Sequence, residues 1–235
     1  MPALLSAALS LVLIGAGQAG QGFERVARPP PAGMRAYPLD VSEFRVLQRD
    51  SGPHNYYRTM SEPPDTFIRG VYGPWLQTVT LFAPVPDELH RGVRMIRFRW
   101  RALVLPRGGN ECVDGRGDSA ANVYVTWKRG MRWYSVKLLW STEADVGATC
   151  NGTRNPFVAQ DSVILRSGGP TGVWHEEEID PDALYRAHFE GGRRDAEVPE
   201  LQGLGILTDG DQTHAVSAAD YADFVFYKEH RTAAR

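Results

Sequence analysis

Only two cysteines and six histidines occur among the 235 residues. No histidine pair has zinc-binding spacing with a third ligand nearby. Gly-x-Ser-x-Gly elbows and phosphate loops are also missing, so serine-hydrolase and nucleotide chemistry have no carrier. Charge of one sign is lacking as well. The formal net charge is −2, which points to neither nucleic acid nor an acidic membrane. No apolar run reaches the roughly 20 residues needed to span a bilayer as a helix. The longest one, Ala3 to Ile14, is followed by the small residues Gly15-Ala16-Gly17-Gln18-Ala19-Gly20, and residues 1–22 carry no charged side chain. We expect residues 1–19 to be a cleaved signal peptide, although no Lys or Arg precedes the apolar run. The alternatives are an uncleaved anchor and a mis-set start codon. Cleavage leaves no transmembrane span and implies a periplasmic or secreted protein.

An even cysteine count in an exported chain then points to one Cys112–Cys150 disulfide, worth roughly 3–4 kcal/mol on the chain-entropy model. A catalytic thiol fits poorly, because no histidine lies near either cysteine and an oxidising compartment would consume it. Residues 20–38, with Pro29-Pro30-Pro31, read as a linker. Residues 39–228 read as one domain and residues 229–235 as a tail. The apolar fraction of 43% suffices for a packed core.

Most of that domain alternates with period two. Leu76–Phe82, Val123–Trp127, Tyr134–Trp140, Val158–Leu165, Leu201–Thr208 and Ala222–Lys228 are expected strands, separated by Gly, Pro, Asn and Asp clusters. Lys128-Arg129-Gly130-Met131-Arg132 reads as a hairpin connection. Such spacing argues for an all-β sandwich or barrel. One short helix is expected, with Asp180 as N-cap, Pro181 at its first position and Gly191-Gly192 ending it. Ser217-Ala218-Ala219-Asp220 has capping-box spacing and is a candidate second turn.

Several polar strings occur in order: Phe44-Arg45-Val46-Leu47 with Ser51-Gly52-Pro53, Arg99-Trp100-Arg101-Ala102-Leu103, Gly117-Asp118-Ser119-Ala120-Ala121, Phe157-Val158-Ala159-Gln160-Asp161, Leu207-Thr208-Asp209-Gly210-Asp211-Gln212-Thr213 and Ser217 to Phe224. In these strings the chain resembles the bacterial family of unknown function 3047. Gly172-Val173-Trp174 followed by Ile179-Asp180, with Ala222 to Phe226 as closing strand, more loosely resembles galactose-binding-like jelly rolls. That resemblance implies a jelly-roll β-sandwich and raises the expectation of a carbohydrate ligand, by fold analogy alone.

The most informative stretch is Val93 to Leu105. As one strand it puts Ile96, Phe98, Trp100, Ala102 and Val104 on one face and Arg97, Arg99 and Arg101 on the other. The arginine row is either a groove for an anionic ligand or a set of internal pairs with Asp and Glu. Arg99 and Arg101 are the ligand-binding candidates, joined by Lys137, Asp161 and Asp118 as a polar wall. Tyr134, Trp133, Trp127 and Trp140 are available as sugar platforms, or as core. Asp209-Gly210-Asp211 offers two carboxylates that could hold calcium or simply turn the chain; no other cofactor is indicated. Glu176 and Glu178 share a strand face, so a glycosidase pair would need a partner such as Asp118 or Asp161.

Three functions stay open: a non-catalytic module binding a saccharide, with an anionic one as the finer form; a polysaccharide lyase or hydrolase, with Tyr134, Lys137 and His214 as nearest lyase groups; and an envelope assembly protein, whose protein partners the sequence does not identify. Nucleic acid is not an expected partner.

Overall fold

The computed structural model describes residues 29–47 and 57–229. The expected signal segment, residues 20–28 of the linker, the Ser51-Gly52-Pro53 string and residues 230–235 lie outside the described residues. Thirteen strands and one α-helix follow in order. They are β1 (Met34–Pro38), β2 (Arg45–Val46), β3 (Tyr57–Glu62), β4 (Asp65–Tyr72), β5 (Leu81–Pro84), β6 (Val93–Val104), β7 (Ala121–Arg129), β8 (Arg132–Ser141), β9 (Thr149–Arg154), β10 (Val158–Ser167), β11 (His175–Ile179), α1 (Pro181–Phe189), β12 (Glu200–Leu207) and β13 (Ser217–Glu229).

Two sheets close over one core. The first runs β11-β6-β13-β4-β3, with β1 added to the far end of β13; the second runs β2-β5-β12-β7-β8-β10-β9. This is the all-β, jelly-roll-like sandwich that period-two patterning implies. Ile96, Phe98, Trp100, Ala102, Tyr221, Phe224 and Phe226 from the first sheet meet Val123, Val125, Trp127, Val136, Leu138, Trp140, Leu204 and Ile206 from the second. All are essentially inaccessible. Burial of such apolar surface contributes about 25 cal/mol per Å² and is the main term favouring the fold.

Helix α1 closes one end. Its N-cap Asp180 accepts a hydrogen bond from the Ala183 amide at 2.9 Å, Pro181 takes the first turn, and Gly191 and Gly192 follow at positive φ. Tyr185 is fully buried, 5.5 Å from the Trp127 ring and 5.3 Å from that of Tyr134. On the outer face of the second sheet, Leu139, Ala144, Cys150 and Ile164 form a small separate cluster. The Cys112–Cys150 disulfide anchors it, with a Cα–Cα separation of 4.9 Å.

Three expectations need correction. Met34–Pro38, read as linker, is a strand that pairs with Val225–Glu229. Regular pairing over Leu76–Phe82 begins only at Leu81, because Pro74 and a turn closed by the Leu76 amide on Gly73 O divert the chain. Ser217–Asp220 forms no helical turn. It lies in β13 between β4 and β6, where ladder bonds on both sides outweigh a single capping interaction.

Candidate functional site

The sequence candidates lie in four separate places. The arginine row stands on the outer face of the first sheet, as alternation dictates. Each guanidinium is met by carboxylates. Asp220, fully buried on β13, takes both Nε and Nη2 of Arg69 at 2.7 and 2.8 Å and Nε of Arg101 at 2.6 Å. Arg101 also reaches Glu62 at 3.2 Å. Arg99 pairs with Asp65 at 2.7 Å and with Asp223. Arg97 pairs with Glu178 at 2.9 Å and donates to the Tyr227 hydroxyl at 2.9 Å.

Asp223 sits in a β-bulge at φ 53°, where Ala222 and Val225 flank one extra residue in the register against Arg99 and Arg97. Trp174 covers the row, with its ring centroid 4.7 Å from the Arg99 guanidinium carbon and 4.5 Å from that of Arg101. Of the two alternatives for this row, internal pairing describes the geometry. Glu176 and Glu178 face Arg97 from β11, while Glu177 turns inward to Trp100 Nε1 at 3.0 Å and Arg166 Nε at 2.6 Å. Neither Asp118 nor Asp161 lies opposite them.

The Asp209-Gly210-Asp211 turn meets Asp118, which is distant in sequence. Carboxylate oxygens of Asp118, Asp209 and Asp211 all lie within 4.8 Å of one another. Asp118 is fully buried and accepts from the Gln212 and Thr213 amides at 3.2 and 2.6 Å and from the Thr213 hydroxyl at 2.6 Å. Asp209 accepts from the Thr78 hydroxyl at 3.1 Å and the Gly210 amide at 2.8 Å. Burial first, and then the charges of Asp211 and Asp118, push the Asp209 carboxyl up to about 7. The protein's own donors therefore satisfy the two buried groups, as turn chemistry requires. Asp118 is a third carboxylate that the sequence did not associate with this turn.

Asp161 and Tyr134 belong to the end under α1. Asp161 pairs with Arg154 at 2.7 Å and with His188 Nδ1 at 3.0 Å. Tyr134 packs on Tyr185 and Phe189, each at 5.3 Å between centroids. Trp127 and Trp140 are core. These rings are not open platforms.

Lys137 and Trp133 line an open depression. It lies on the outer face of the second sheet, where a hollow of about 410 Å³ is lined by Leu47, Thr80, Phe82, Tyr124, Thr126, Trp133, Ser135, Lys137, Gln160 and Gly205. Its construction follows from two local features. First, the two-residue turn Gly130-Met131, with Gly130 at φ 58°, sets Arg129 opposite Arg132. That register puts Tyr124 opposite Lys137, Thr126 opposite Ser135 and Lys128 opposite Trp133. Second, Gly203 and Gly205 alternate in β12 with the core residues Leu204 and Ile206 and leave the outer face bare. A Cβ on Gly205 would lie 3.2 Å from the Tyr124 side chain, and one on Gly203 2.6 Å from the Phe82 ring. The rings of Tyr124 and Phe82 thus settle onto glycine.

Trp133 remains 38% exposed at the rim. Lys137 Nζ stands 5.1 Å from the Tyr124 ring centroid. Burial pushes the Tyr124 phenol above its ordinary range, and the adjacent ammonium acts in the opposite sense. Tyr124 and Phe82 are the residues that sequence reasoning missed. Their signal was present, since the hairpin turn fixes what faces Lys137.

No curated protein matches the chain. Among solved structures it is similar to endoglucanase 3 of Trichoderma harzianum, a family GH12 protein. The two are 8% identical with a TM-score of 0.39, over 85% of this chain and 99% of that one. At that similarity nothing carries over to the function of this chain. A family match, by contrast, covers residues 80–225, a span that includes the β7–β8 hairpin and β12: the chain belongs to the family described as protein of unknown function (DUF3047).

Proposed function

We propose that the protein is a non-catalytic module that binds a saccharide in the depression on the outer face of the second sheet, in the periplasm or outside the cell. The observation that carries this reading is the lining itself. Exposed and half-buried aromatic faces of Trp133, Tyr124 and Phe82 stand beside the short polar groups Thr126, Ser135 and Gln160. Sugar rings combine an apolar face with a rim of hydroxyls, and a site for them needs both elements together. The lining residues include no Asp or Glu, so the carboxylate pair of glycoside hydrolysis has no carrier there. The disulfide supports an oxidising compartment.

The test is affinity electrophoresis and calorimetry against a panel of neutral and acidic polysaccharides. Trp133→Ala is expected to weaken retention at least tenfold, about 1.4 kcal/mol, while the melting temperature stays within a few degrees. Retention unchanged by Trp133→Ala would overturn the reading. Incubation with polyuronates, followed by absorbance of an unsaturated product, tests the lyase alternative. Turnover there would replace binding by catalysis, with Tyr124 and Lys137 as the acting groups in place of Tyr134.

A further inference from the structure

Resting on that saccharide reading, we infer that the ligand is an acidic polysaccharide lying along the β7–β8 hairpin, its acidic groups met by Lys137 and Lys128. The hairpin repeats one arrangement twice. Lys137 faces Tyr124, with Nζ 5.1 Å from the ring centroid; Lys128 faces Trp133, with Nζ 4.8 Å from the centroid. The lysine comes from β8 in the first pair and from β7 in the second. Each pair offers a cation beside an aromatic face, which suits a ring carrying a carboxylate or sulfate. The pairs are offset by four positions along each strand, roughly 13 Å at about 3.3 Å per residue. Thr126 and Ser135 lie between them as hydroxyl partners.

The charge pattern selects the acidic class. On the first sheet every arginine of the row is neutralised by carboxylates. Among the described residues, neither Lys137 nor Lys128 has a carboxylate within 4 Å. Glu200, the register partner of Lys128 on β12, turns instead to Arg91 at 3.5 Å. A chain with net charge −2 thus keeps two uncompensated ammonium groups in line on one open face. Two points of contact also make binding depend on ligand length, because the second engagement becomes intramolecular once an oligomer spans both.

Binding of polygalacturonate and of its fully methyl-esterified, neutral form is to be measured by calorimetry at low and high salt, with single-stranded DNA as a control polyanion. The wild-type protein is expected to bind the acidic polymer at least tenfold tighter than the ester, with the difference shrinking at high salt. Lys137→Gln should weaken the acidic polymer five- to tenfold, weaken the ester by much less, and keep the melting temperature. Lys137→Arg should retain most affinity. Lys128→Gln should weaken long oligogalacturonates and leave short ones unchanged. Equal affinity for both polymers, insensitive to the lysine substitutions, overturns this inference and leaves the saccharide reading standing. Retention of neither polymer, or of any other saccharide of the panel, overturns both. DNA bound as tightly as polygalacturonate overturns the saccharide specificity.

Discussion

Asp220 has no exposed surface and is the shared counter-charge of Arg69 and Arg101. Removing one partner of a buried ion pair leaves an uncompensated charge, which costs about 3–5 kcal/mol. Asp220→Ala is therefore expected to lose most of the stability of an ordinary domain, read as a large drop in urea midpoint. A loss below 1 kcal/mol would mean that water already solvates the pair. By the same argument, replacing Arg99 and Arg101 together should lower the melting temperature.

Asp209 gives the pH dependence its sign. Its carboxyl sits near 7 in the folded protein against an ordinary value of 3.8. Between those values the folded state holds a proton that the unfolded state has released. Stability therefore falls as pH rises from about 4 to about 7, by at most roughly 1.4 kcal/mol per pH unit. Asp209→Asn should flatten that slope in a melting series. Calcium held by Asp209 and Asp211, the alternative to plain turn chemistry that the sequence leaves open, would act oppositely, because a cation keeps carboxylates ionised. A melting temperature raised by calcium at pH 8 in the wild type, and not in Asp209→Asn, would mark such an ion.

At the level of elements, the depression depends on a hairpin register and on glycines in the strand beside it. Gly205→Val puts a branched side chain where even a Cβ lies 3.2 Å from Tyr124. The ring is expected to be pushed off β12 and saccharide retention lost, for a stability cost of about 1–3 kcal/mol. Gly203→Ala is different, since its Cβ would fall 2.3 Å from the Ala83 carbonyl oxygen. Backbone must then move, and the fold should suffer more than the binding. Retained affinity in Gly205→Val would place the ligand away from Tyr124.

Much at this level was legible beforehand. Asp180, Pro181 and Gly191 bracket the helix by local capping chemistry that needs no neighbours. The strands 121–129 and 132–141 follow from alternation and one turn. Ser217–Asp220 was misread because its local signal is weak, while the two strands flanking it are remote in sequence. Tyr124 was overlooked because it was judged within its own strand, when its meaning comes from the residue across the turn.

Over the whole molecule, the sandwich separates an ion-paired outer face on one sheet from a depression on the other whose ammonium groups lie against aromatic rings. The disulfide ties the loop preceding β7 to β9 across 38 residues, so that loop is held covalently to the last strand in the order of the second sheet.

The sequence by itself determined the class of fold, the strand faces, the helix and the pairing of two cysteines. Those are consequences of side-chain period, capping and count, all local properties. Only the tertiary structure decided which polar residues share a place. Arg99, Lys137, Asp161 and Asp118 look equivalent along the chain, yet they part to two outer faces, an end and a loop junction. Each strand's neighbours come from distant segments, and it is the neighbours' charge that leaves Lys137 open and neutralises Arg101.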